Sequence, residues 1–386
     1  MPTLAELSHR RPVADATIPL LRPFMPPEVT QGLPNVLESG WIGEGPRVKE
    51  FEEALVPYIG TRRITCVNSG TSAISLALHL AGVDRGDEVI TTPMTCAATN
   101  LPILHRGAIP RWADIGSANG LIDPASVEEL ITSRTRAILC VDWLGCPCNY
   151  DELTRIAAKH SLPLIADCAQ SLGATYKSRF VSALADFSCF SFQAVKTITT
   201  GDGGALTTQS DPQSERAKRL RWFGIDRQVK HQSPRPWEYD IVETGYKYHM
   251  NDIAAYIGLC QLKYLDQLIH LQRDNAAYFS EYLRNLDGIE LLDPPEGSHS
   301  SYWLYGLLVR RRDAFIGHMM QHNIQVCPVH QSNLKLSIFK NGGHSPPHVK
   351  QFDERLVCIP NGYWVSRDDR ERIVHRIRCF SKSSQR

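Results

Sequence analysis

Short apolar runs alternate with longer segments of helical spacing through the first half of the chain. The runs 88–92, 137–141, 162–166, 187–192 and 205–208 are each bounded by turn residues, the pattern of buried strands. Beside them, 72–81, 125–131, 150–160 and 214–222 read as helices, the first of which stops at Gly82. This alternation predicts an α/β fold with a mostly parallel central sheet flanked by helices. Ligands in such sheets bind beyond the carboxyl ends of strands, so chemistry is sought where an apolar run meets a turn. Further along, 253–271 reads as one long helix continuing through 273–286 toward a smaller C-terminal α+β region, with 302–309 a strand and 367–380 a closing helix. The predicted organisation is an N-terminal arm over 1–30, a large α/β domain over 31–265 and a small α+β domain over 266–386. Residues 224–245, rich in charge, proline and aromatics and without periodicity, read as a long loop, and loops of that length in compact domains tend to be functional.

Three of these junctions carry groups that suit one another. Asp167 closes the run 162–166, and Lys196 stands 29 positions later in the glycine-flanked loop S-F-Q-A-V-K-T-I-T-T-G-D-G-G, residues 191–204. Pyridoxal phosphate requires such a pair: an amine to form a Schiff base, and a carboxylate opposite the pyridine nitrogen. The run N-S-G-T-S at 68–72, directly ahead of a predicted helix, meets a third requirement. Backbone N–H groups at a helix N-terminus, with hydroxyls beside them, cradle a phosphate; Gly70, Thr71 and Ser72 belong to this run. Ser191 adds a hydroxyl on the lysine side. Taken singly, each piece is an ordinary turn, cap or solvated lysine. Their order along the chain points to one pocket.

Together with S-G-W-I-G (39–43), G-P (45–46), F-E (51–52), G-D-E-V (86–89), D-C-A-Q (167–170) and G-Y-K-Y-H-M-N-D-I-A-A (245–255), these motifs resemble, in family order, the DegT/DnrJ/EryC1/StrS sugar aminotransferases. Those are fold type I pyridoxal phosphate enzymes, and the resemblance runs from about residue 21 to about residue 377. It implies that Lys196 holds the cofactor as an internal aldimine and moves the proton as base and acid. It further implies that Asp167 faces the pyridine nitrogen, that Gln170 hydrogen-bonds the phenolic oxygen, and that Thr71, Ser72 and Ser191 hold the phosphate. Lys247 would reach the phosphate in a neighbouring subunit, making the protein a homodimer with shared active sites; its sequence context equally fits a surface lysine after a turn.

Cys96 stands where relatives often place an aromatic residue over the cofactor ring. Asp202 replaces a common Glu, and His249 replaces a frequent Arg with a group that titrates near neutrality. Trp41 and Ile42 match a substrate-facing turn. His330 matches a histidine at the rim, where it would meet a sugar hydroxyl or a nucleotide phosphate, or else serve a structural role. The implied reaction carries an amino group from glutamate to the keto group of a nucleotide-linked deoxysugar, a 4-keto-6-deoxyhexose by family frequency. Alternatives on the same scaffold are a keto-cyclitol aminotransferase, a sugar dehydratase and a non-catalytic regulator that binds the cofactor. Deoxygenating relatives replace the Schiff-base lysine with histidine, whereas Lys196 is present here.

Composition narrows the picture further. A chain of 386 residues with 42% hydrophobic content can fill a large and a small core. The 42 basic and 41 acidic residues are interspersed, which argues against a nucleic-acid surface. No run reaches membrane-spanning length and the first residues lack a signal-peptide core, so a cytoplasmic location is expected. The 11 cysteines include C-P-C at 146–148 but no paired C-x-x-C units; buried free thiols are expected, and no metal site.

Overall fold

The computed structural model describes residues 17–227, 234–235, 237–339 and 346–383. In chain order the first nine strands are β1 (Ile64–Val67), β2 (Glu88–Thr91), β3 (Ile109–Trp112), β4 (Thr135–Val141), β5 (Leu164–Asp167), β6 (Thr175–Tyr176), β7 (Arg179–Phe180), β8 (Phe187–Ser191) and β9 (Gly204–Thr208). Seven of them form one sheet in the order β1-β9-β8-β5-β4-β2-β3. Within it β3, β2, β4, β5 and β8 run parallel, while β9 is antiparallel to both β8 and β1.

Both faces of the sheet are covered, which explains why its strands read as continuous apolar runs. Ile138, Cys140, Leu164 and Ala166 pack into the core on one face with Phe51, Phe190 and Phe192. The alternate residues Leu139, Ile165 and Cys189 pack on the other face, against Ile74, Leu76 and Leu78 of the helix Gly70–Leu80. β1 and β3, the two strands that escape the sequence pattern, are the edges of the sheet, and β3 (Ile-Pro-Arg-Trp) carries a proline tolerated only at an edge.

The remaining strands are β10 (Ile289–Leu291), β11 (Ser298–His299), β12 (Tyr305–Val309) and β13 (Leu356–Ile359). β10, β12 and β13 make an antiparallel sheet, and β11 joins β6 and β7 in another. Helices Leu265–Tyr282, Arg312–Gln321 and Arg367–Ser383 contribute to a second core around Phe279, Leu307, Val309, Phe315, Ile359 and Ile377. Ile18 bridges to Ile324 beside that core, and the helix Pro27–Glu38 runs across the expected boundary at residue 30. Residues 1–16 of the expected arm, and 228–233 and 236 of the expected long loop, lie outside the described residues.

Three expectations about elements are corrected. The long helix from 253 is two helices, Asp252–Leu262 and Leu265–Tyr282. At the break Tyr264 turns inward, its ring 5.2 Å from Phe24 and its hydroxyl donating to Glu28, while Gln261 joins Phe24 O to the Thr199 N–H. The strand expected from 302 starts at Tyr305, because Tyr302 has φ +52° and the Ser300 and Ser301 hydroxyls bend that segment onto Gly145 and Gln170. The helix expected from 72 begins at Gly70, since Ser69 caps it by accepting the Ser72 N–H at 3.0 Å.

Candidate active site

Asp167 is the last residue of β5 and is buried. It accepts hydrogen bonds from the Thr99 hydroxyl at 2.7 Å and the Ala169 N–H at 3.0 Å. Burial pushes its carboxyl up; the two hydrogen bonds and then the Lys196 charge pull it back. Because the Thr99 hydrogen is committed to Asp167, Thr95 is the donor in the 2.8 Å contact between the two threonine hydroxyls.

The lysine loop leaves β8 at Ser191 and folds back on itself: Phe192 N–H donates to Gly203 O, Thr200 N–H to Phe192 O, and Lys196 N–H to Gln193 O. Lys196 Nζ lies 4.0 Å from the centre of the Trp303 ring, whose indole N–H donates to Val195 O at 2.8 Å. Burial brings the Lys196 amine down to about 8, against the opposing influence of Asp167 and Cys96. His330 is pushed down to about 4 by burial and then by Lys196, and its ring lies 5.8 Å from that of Trp143. Lys196, Asp167, Cys96 and His330 therefore converge on one locus. Cys96 reaches it as the residue that precedes the helix Ala97–His105.

At the start of the helix Gly70–Leu80, Ser72 Oγ donates to Asn68 Oδ1 at 2.6 Å and lies 2.9 Å from Ser69 Oγ. Gly70 abuts Ser191: a Cβ there would stand 2.8 Å from Ser191 Cβ and 3.3 Å from its hydroxyl oxygen. Gly70 thus permits a close approach that brings hydroxyls from two elements to one helix N-terminus. Thr71 lies in the same first turn. This chemistry fits a phosphate. Beside Asp167, the Gln170 Oε1 accepts the Leu144 N–H at 2.7 Å, which leaves its amide NH2 as a donor. The neighbouring Trp143 has a buried indole N–H with no partner among the described residues. A strand-end carboxylate, a depressed lysine amine and an anion cradle together fit pyridoxal phosphate.

Other expected residues are set apart from this locus. Lys247 follows the sheet edge: Asn68 N–H donates to Tyr248 O at 2.7 Å, and Asn68 Nδ2 to Lys247 O at 3.4 Å. Its ammonium rests 5.3 Å from both the Trp222 and Phe223 ring centres, at an exposed position. Trp41 and Ile42 are 56% and 55% exposed. Their turn is clamped by Asp252, whose carboxylate accepts the N–H groups of Gly45, Arg47 and Val48 at 2.8, 3.1 and 3.2 Å. No hydrogen bond or ring contact among the described residues joins Trp41, Ile42 or Lys247 to Lys196. His249 departs from expectation: burial pushes its imidazole down to about 4, with the ring 4.0 Å from Trp222, so it is uncharged near neutrality.

Sequence reasoning missed Thr99, Trp143, Trp303 and Asn333. Asn333 donates to Thr95 O at 2.7 Å and accepts from Asn100 Nδ2 at 2.9 Å, pinning the segment after His330 to the loop that holds Cys96. The four-residue spacing of Thr95 and Thr99 was the one available signal.

The sheet topology and the lysine locus are those of the fold type I scaffold. Residues 25–378 match the DegT/DnrJ/EryC1/StrS aminotransferase family, and the chain, an enzyme, belongs to it. It is 35% identical to the sugar aminotransferase CalS13 from Micromonospora echinospora, covering 94% of this chain and 99% of that one with a TM-score of 0.89. It is 32% identical to the UDP-4-amino-4-deoxy-L-arabinose–oxoglutarate aminotransferase of Shewanella sediminis over 78% of this chain and 77% of that protein. The PLP form of Spr1654 from Streptococcus pneumoniae superposes with a TM-score of 0.88 at 29% identity, covering 95% of this chain and 99% of that one.

Proposed function

We propose that the protein is a pyridoxal phosphate-dependent sugar aminotransferase that carries an amino group from glutamate to the keto group of a nucleotide-linked sugar. The observation that carries this reading is the desolvated Lys196 amine, at about 8, within electrostatic reach of the strand-end carboxylate of Asp167. When bound, the cofactor supplies a carbonyl that captures amines and a protonated ring that withdraws electrons.

The residues divide the work. Lys196, whose desolvated amine is about one-tenth neutral at pH 7 against far less for an ordinary lysine, would capture the cofactor and afterwards move the proton of the substrate carbon. Asp167, held toward its ionised form by Thr99 and Ala169, keeps the ring nitrogen protonated. Thr71, Ser191 and the N–H groups from Gly70 onward would hold the phosphate, and Ser72 would join them by turning its hydroxyl hydrogen from Asn68. Gln170, its oxygen taken by the Leu144 N–H, would offer its amide NH2 to the phenolic oxygen, and Cys96 would stand beside the ring. His330, uncharged near neutrality, favours a hydrogen bond with a sugar hydroxyl over an ion pair with a phosphate. Trp41, Ile42 and Lys247, outward-facing in one chain, complete the site of a second copy, so the active unit is a homodimer.

The Shewanella sediminis relative, a UDP-sugar–oxoglutarate aminotransferase, supports a nucleotide-linked sugar as acceptor, and oxoglutarate is the keto acid of glutamate. A 4-keto-6-deoxyhexose is the proposed acceptor class, a cytoplasmic setting the proposed location, and 31–265 and 266–386 the proposed domains. Among the described residues no helix is long and apolar enough to cross a membrane. The test is the visible spectrum of the protein with pyridoxal phosphate, before and after glutamate. The expected result is a band that glutamate bleaches and that Lys196→Ala lacks; no band in the unaltered protein overturns the cofactor, and a band indifferent to glutamate overturns the donor.

A further inference from the structure

A cavity of about 10 Å³ borders Lys196 and is also lined by Arg22, Gln272, Trp303 and Trp364. That volume admits a single water-sized guest. Two of the lining groups are prepared for a cation. The Trp303 ring, 3% exposed, presents its face to Lys196 Nζ at 4.0 Å. Gln272, 5% exposed, has an amide oxygen with no hydrogen-bond partner among the described residues. A buried acceptor left open in this way is normally met by a water or a ligand.

The Trp303 ring is tethered to the lysine loop, and the two residues before it are held in turn. Its indole N–H holds Val195 O, one residue before the lysine. Asn361 Nδ2 donates to Tyr302 O at 2.6 Å and Ser301 Oγ donates to Gln170 O at 3.1 Å. The lysine loop and the C-terminal strand connection are thereby joined through Trp303.

We propose that Trp303 and Gln272 form a seat for the Lys196 amine whenever it is not engaged with the cofactor. The indole face receives the ammonium, and one water in the cavity links it to Gln272 Oε1. Trp303 and Gln272 are positioning residues that act through Lys196. They hold a long, four-bond side chain in one place between release and recapture, so the amine stays within reach of the carbon whose proton it moves. The inference rests on the function proposed above. The titratable and charged groups around the amine are Asp167, Cys96 and His330, with Arg22 and Tyr363 at the cavity.

The test uses protein labelled with 5-fluorotryptophan, the Trp303 fluorine resonance being assigned among the 7 tryptophans by its loss in Trp303→Phe. In cofactor-free protein this resonance is expected to shift with pH around a midpoint near 8, a shift that Lys196→Met abolishes. Pyridoxal phosphate is expected to flatten the titration by engaging the amine, and glutamate to restore it. Gln272→Leu is expected to lower the proton affinity of the amine about threefold, moving the midpoint down by roughly half a pH unit. A Trp303 resonance that ignores Lys196→Met, or a titration that persists unchanged after the cofactor binds, overturns the seat; an unmoved midpoint in Gln272→Leu removes Gln272 from it. The visible band is recorded on the same samples. Its absence rejects the proposed function, whereas the cofactor-free titration judges the seat alone.

Discussion

The Thr99 hydroxyl donates to Asp167 at 2.7 Å, so the strand-end carboxylate is oriented by the helix Ala97–His105 as well as by its own turn. A donor to the ionised form offsets part of the burial that otherwise pushes the carboxyl up. Thr99→Val keeps the shape and removes the donor. Its expected effect is a loss of about tenfold in pyridoxal phosphate affinity, on the order of 1.5 kcal/mol for a hydrogen bond to a charged group. Spectroscopic titration with cofactor checks this, and Thr99→Ser is expected to restore most of the affinity.

The Lys196 amine must be neutral to attack a carbonyl. With its protonation midpoint brought down to about 8, the reactive fraction is small at pH 6 and grows as pH rises. Cofactor capture by the cofactor-free protein is therefore expected to accelerate about tenfold per pH unit on the acid side and to level off above the midpoint. Stopped-flow absorbance across that range measures it. A rate that is flat from pH 6 upward would contradict the depressed amine.

Asp142 sits beneath the site, accepting from Ser171 Oγ at 2.7 Å, Tyr150 Oη at 2.8 Å and Cys148 N–H at 3.1 Å, yet burial still pushes its carboxyl to about 6 from 3.8. The folded chain then binds this proton more tightly than the unfolded chain does. Its contribution to stability is full below pH 4 and is lost as pH rises to 6, by roughly 3 kcal/mol for a shift of about two pH units. Asp142→Asn is expected to remove that component. Urea unfolding of both proteins from pH 4 to 7 should show a difference in stability that changes across pH 4–6 and is constant above it.

If Lys247 serves the site of a second copy, two inactive variants complement each other. Lys196→Ala and Lys247→Ala, unfolded and refolded together, form mixed dimers with one intact site each. Random pairing then returns about a quarter of the unaltered activity. Activity no greater than that of the separate variants would assign Lys247 to its own chain.

Much of this protein was determined by local sequence. The alternating runs specify an α/β sheet because each strand is buried on both faces, and Asp167, Ser72 and Lys196 stand at strand ends, a helix start and a loop whose positions depend on a few neighbouring residues. The break before Leu265, the left-handed Tyr302 and the burial that keeps His249 uncharged were not legible. Nor were the partners that orient the site: Thr99 lies 68 positions from Asp167, Trp303 lies 108 from Val195, and Asn333 lies 238 from Thr95. Caps, turns and apolar spacing are fixed by interactions within a few residues. Which ring meets the lysine, and which hydroxyl meets the carboxylate, is decided only when the chain closes and the distant segments must satisfy one another's buried polar groups.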